Sequence, residues 1–237
     1  MRSKIMLVVN AVLIALIFVL NYFYQSNGFN FMLKCICSGS FALLGLLNLI
    51  YAFITKADNR KFFIGMSAGL FLAFLGDVLI KYDFIFGAAT FAFGHICFVA
   101  AYCFTKRMRK LEYIVSGVLF SGCLVFLMTC PLLHFEVPVF RIVCIVYALI
   151  ISTMLGKAIG NYARERNITN GTIAFASTLF FFSDLMLVFD WFIGLWNWTD
   201  HACMGTYYPA LCLLALSMIL KMIFEREKYD ECLHNLY

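Results

Sequence analysis

The chain has 237 residues, of which 64% are hydrophobic and only 13% charged. That balance excludes a soluble domain or a disordered chain and marks an integral membrane protein. The formal net charge of +5 sits in a few connecting segments, a pattern that reports membrane orientation and not nucleic-acid binding.

Eight apolar spans are predicted, at residues 5–24, 31–54, 62–80, 84–105, 113–130, 137–159, 170–193 and 202–223. The expected fold is therefore all-α: one eight-helix transmembrane bundle over residues 1–237, with short connections and no soluble domain. The first span follows Arg2 and Lys4, like the basic start of a signal peptide. Its apolar run is too long for that, and NYFYQSNG offers no small-residue cleavage site, so a retained helix is expected.

The second span carries Lys34 near one end. Alone, such a lysine reads as a boundary residue whose ammonium snorkels to the interface. Asn48, deeper in the same span, reads as glue between helices. The third span holds Gly65, Gly69, Ala73 and Asp77 at four-residue spacing, so they share one ridge. Small residues at that spacing admit a close neighbour. An ionisable side chain within an apolar helix is costly and marks a functional site by default.

The fourth span contributes His95, which suits either a satisfied core histidine or a site member. Cys97, Cys103, Cys123, Cys130, Cys144 and Cys212 lie in apolar runs, where a thiol behaves as a small hydrophobe. Cys35 and Cys37 have no partners at metal-ligand spacing, so no metal or other cofactor is expected. Asp184 stands in the seventh span. Tyr207 and Tyr208 open the eighth and read alone as interface aromatics, ahead of Pro209, which is expected to kink the helix.

Of the 18 lysines and arginines, all but Lys34, Lys81 and Arg141 fall at the termini, in alternate connections or, as Lys157 and Lys221 do, at the span ends beside them. The positive-inside rule puts that side, and both termini, in the cytoplasm. Trp191, Trp196 and Trp198 cluster at the opposite boundary, as an aromatic belt would.

Helix rise turns position into depth. Asp77 and Asp184 each lie about 21–22 Å from the cytoplasmic start of their helices, at ~1.5 Å per residue. Tyr207 and Tyr208 reach the same level from the other face, Lys34 is shallower, and His95 is near mid-membrane. Two buried carboxylates at one depth suit acid–base chemistry, because burial and mutual repulsion let one keep its proton while the other ionises. No Gly-x-Ser-x-Gly, His-Glu-x-x-His or phosphate-loop motif is present.

GLFLAFLGDVLI, FGHICFVAAY, LFFFSDLML and MGTYYPALCLL, in this order and in these helices, resemble the YhhN-like lysoplasmalogenase family. The resemblance is fullest in the third, fourth, seventh and eighth spans, and looser near Lys34. It departs after Tyr208, where the family commonly shows Ala-Gln and this chain has Pro209, Ala210 and Leu211. It implies an eight-helix membrane hydrolase that cleaves the vinyl ether bond of lysoplasmalogens to a fatty aldehyde and a glycerophospho-head group. Its substrate would be a lysophospholipid met within the membrane lipids. Asp77 and Asp184 would then share the acid and base roles. His95, Tyr207 and Tyr208 would orient water or head group, and Lys34 would pair with the substrate phosphate. Buried aspartate and histidine also build proton relays, so a proton-coupled transporter or channel is the alternative. A non-catalytic lipid-binding bundle is a third.

Overall fold

The computed structural model describes residues 2–135, 137–194 and 198–234. The helices are α1 (Arg2–Ser26), α2 (Phe31–Ile54), α3 (Arg60–Leu79), α4 (Phe84–Thr105), α5 (Lys110–Thr129), α6 (Pro138–Arg164), α7 (Ile168–Phe192) and α8 (Trp198–His234). All eight are long and apolar enough to cross a membrane. Their outer faces carry large exposed apolar side chains such as Val12, Phe71, Phe93, Val118 and Phe175, which water would not tolerate in such number but lipid does. Trp196 lies outside the described residues, and so do the side chains of Arg2, Lys4 and Lys228. Trp191 and Trp198 are half-exposed at the facing ends of α7 and α8.

Polar residues at the span boundaries set where the helices begin. The Asn30 side chain accepts from the Met32 and Leu33 amides, that of Asp83 from Phe86, and that of Asn167 from Asn170. Each satisfies backbone donors that a helix start would otherwise leave unpaired. α6 starts on Pro138, whose fixed φ suits the first helical position. It runs five residues beyond its predicted end. Past residue 159 the helix is held by side-chain pairing: Asn161 is buried on the Tyr102 carbonyl of α4, and Arg164 pairs with Glu112 of α5, which the buried Lys157 also faces from within the span. Lys157 is thus a buried member of a helix and not a loop cation. α8 continues through Pro209 and past its predicted end, to His234.

α8 packs against α1, α2, α3 and α7, while α5 lies along α6. The predicted ridge on α3 does admit a close neighbour. A Cβ placed on Gly69 would come within 2.5 Å of the Phe98 ring of α4, and one on Gly65 within 3.1 Å of the Cys97 carbonyl. Glycine is what lets these two backbones approach. Asn48 fulfils its expected role, exchanging two 2.9 Å hydrogen bonds with Asn10 of α1 and donating at 2.8 Å to the Ala215 carbonyl of α8. Three helices are thereby fixed in register around the end of the bundle opposite Asp77.

Candidate active site

Asp77 leaves the α3 ridge on the side facing α2 and α8. Its carboxylate lies 3.2 Å from the Lys34 ammonium and accepts hydrogen bonds from Ser38 at 2.6 Å and Tyr207 at 2.8 Å. Ser38 is also 3.3 Å from the Tyr208 hydroxyl. Lys34 and Ser38 stand one helical turn apart on α2, so one face of that helix supplies two of the three groups. Asp77 is 2% exposed, and Ser38, Tyr207 and Tyr208 are equally buried. Each of these three neighbours donates to the carboxyl group.

Lys34 is therefore not a snorkelling boundary residue, because a buried counter-charge turns its ammonium inward. The two tyrosines are not interface aromatics either. Their rings stack edge-on with each other at 5.2 Å and close on Phe41 at 6.1 and 6.2 Å.

A second polar cluster joins α4, α6 and α7. The Tyr147 hydroxyl donates to Asp184 Oδ2 at 2.7 Å. His95 Nε2 lies 2.7 Å from that hydroxyl and 3.2 Å from the same carboxylate oxygen. With the Tyr147 proton given to Asp184, His95 Nε2 must be the donor to both oxygens. Its Nδ1 is then buried without a hydrogen-bond partner among the described residues, a condition rare in native interiors.

The two clusters are separate. Between them stands a layer of rings: Tyr207 is 5.4 Å from Phe180, and Phe180 is 4.6 Å from His95. On the far side of Asp184 lies an apolar cavity of about 80 Å³ between α3, α4, α5, α6 and α7, walled by residues such as Phe91, Phe126, Cys144, Ile151 and Val188. Among its lining residues, Asp184 is the one carboxylate and Tyr147 the one hydroxyl. Such a wall suits apolar groups, with two polar groups set at one place on it. Asp77 does not line it.

Lys34, Asp77, Tyr207 and Tyr208 thus meet in one cluster and His95 and Asp184 in the other. Two members escape sequence reading. Ser38 is one turn from Lys34 and could be found by asking what else lies on that face. Tyr147, in IVYALI, carries no local signal at all, since a tyrosine in an apolar helix is commonplace.

The sequence profile of the YhhN family matches residues 29–218, from the turn before α2 to well within α8 and so across α5 and α6 as well. Comparison with curated proteins and with solved structures gives no match.

Proposed function

We propose that this chain, which belongs to the YhhN family, is a membrane-embedded hydrolase that cleaves the vinyl ether bond of lysoplasmalogens. The observation that carries this reading is that Asp184 and Tyr147, both bonded to the buried His95, stand on the wall of an apolar cavity. A single-chain amphiphile entering by that cavity would meet a carboxylate and a tyrosine hydroxyl, with His95 bonded behind them.

A vinyl ether is cleaved by adding a proton to its outer alkene carbon, which gives an oxocarbenium ion at the carbon bearing oxygen. Water attacks that carbon and loses a proton to a base. The hemiacetal then collapses to the aldehyde as the glycerol oxygen takes up a proton. The chemical logic parallels the acid and base carboxylates of a glycosidase, here held in two clusters with the Phe180 and Tyr207 rings between them. Asp77 and Asp184 share the donor and acceptor roles. His95, held by Tyr147 and Asp184 through Nε2, has Nδ1 available to position water. Tyr207, Ser38 and Lys34 hold Asp77, and Lys34 lies nearest the expected head group. The charge distribution supports an orientation with both termini in the cytoplasm and the site in the opposite half of the membrane.

Protein purified in detergent should release fatty aldehyde from lysoplasmalogen without any ion gradient, and a chelator should leave the rate unchanged. Among the described residues no group of three histidine, cysteine or acidic side chains is placed to hold a metal. Substrate movement across vesicles without aldehyde formation would favour a transporter instead.

A further inference from the structure

At the end of the bundle far from both aspartate clusters, a concavity is lined, among the described residues, by Lys106, Arg107, Arg109 and Arg164. These cations come from the C-terminus of α4, the α4–α5 connection and the C-terminus of α6. Scattered interfacial lysines and arginines would follow from membrane orientation alone. Here they converge, and the convergence is built from within.

Arg164 is fixed on every side. It pairs with Glu112, donates to Asn161 Oδ1 at 2.8 Å, to the Arg107 carbonyl at 3.2 Å and to the Gly160 carbonyl at 3.3 Å. Glu112 is fully buried, and its other carboxylate oxygen accepts the Arg109 amide at 3.0 Å. A side chain on Gly160 would collide with Glu112, so glycine there lets α6 close on the carboxylate. Glu112 also faces the fully buried Lys157 ammonium at 3.6 Å, whose nitrogen has no hydrogen-bond partner among the described residues. One buried carboxylate thus serves two cations, and Glu165 serves Lys106. Arg107 and Arg109 are exposed and make no ion pair among the described residues. The cluster holds five cations against two carboxylates, beside the positive end of the α5 dipole.

We propose that this concavity binds a phosphate monoester, the head group of an anionic lipid in the adjoining leaflet. Arg107 and Arg109 are its ligands, while Arg164 and Glu112 hold the loop that presents them. Guanidinium forks match phosphate oxygens in pairs. The ends of α4 and α5 set them at head-group level, where basic pockets between helices capture such lipids. This site is independent of the hydrolase reading.

The test is native mass spectrometry and thermal unfolding of the purified protein with phosphatidic acid, phosphatidylcholine of the same chains, or glycerol 3-phosphate. Phosphatidic acid should bind at least about tenfold more tightly than phosphatidylcholine. The Arg107→Gln/Arg109→Gln variant should lose that preference. Lys56→Gln/Arg60→Gln, cations of the same face in the α2–α3 turn and at the first residue of α3, should keep it. Glycerol 3-phosphate binding as tightly as phosphatidic acid would support the phosphate site while assigning it to a soluble ester. Equal binding of the two lipids, or equal loss in both variants, would overturn the proposal and leave only a generally positive face.

Discussion

Asp184→Asn should lower aldehyde release by about 10²- to 10⁴-fold, the range typical of removing a positioned acid or base, while the bundle stays folded. Asparagine keeps the shape and can still accept the Tyr147 hydrogen bond through its carbonyl oxygen. It cannot take up a proton from water or return one to the glycerol oxygen. The site is also forgiving structurally: Asp184 is the more exposed of the two aspartates and borders a cavity, so no buried cation is stranded. Unfolding temperature and rate should therefore separate. The readout is turnover of the purified variant beside its melting curve. Near-normal turnover would remove Asp184 from the chemistry.

The second large effect is at Asp77, and there stability and activity are entangled. Asp77→Asn deprives Lys34 of its counter-charge and offers an amide donor where Lys34, Ser38 and Tyr207 already donate. Removing one partner of a buried ion pair costs about 3–5 kcal/mol. The lower end applies here, because the Lys34 side chain keeps 15% exposure and can swing toward the interface. The double variant Lys34→Met/Asp77→Asn removes both charges and should recover much of the lost stability. Activity should stay at least about 10²-fold down if Asp77 takes part in proton transfer. Recovery of activity together with stability would make Asp77 a structural residue whose only task is to hold α2, α3 and α8 in place.

The fold was open to sequence reading because lipid imposes a one-dimensional rule. Each span must be apolar for about 20 residues, and the cations must fall between spans. The bounds of α2 and α4 follow from that rule directly. It fails at α6, where Lys157 reads as the end of a span yet lies inside it, since only a three-dimensional partner, Glu112, makes a buried ammonium tolerable.

The site was legible in the same limited way. Asp77, His95, Asp184 and the tyrosine pair stand out as polar groups in apolar surroundings, and depth arithmetic places them in one half of the membrane. Depth does not give azimuth. Nothing in the sequence tells that Asp77 turns to Lys34 and Ser38 while Asp184 turns to Tyr147, with Phe180 and Tyr207 between them. That division follows from helix rotation and packing, which hydropathy does not encode.

The proposed chemistry leaves a mark that is independent of any mutation. Protonation of the outer alkene carbon fixes one solvent hydrogen on the carbon next to the new carbonyl. Turnover of lysoplasmalogen in heavy water, with the aldehyde reduced at once to block exchange, should give a fatty alcohol carrying one deuterium at that carbon. Release of aldehyde without deuterium there would contradict carbon protonation, and absence of aldehyde altogether would contradict the hydrolase.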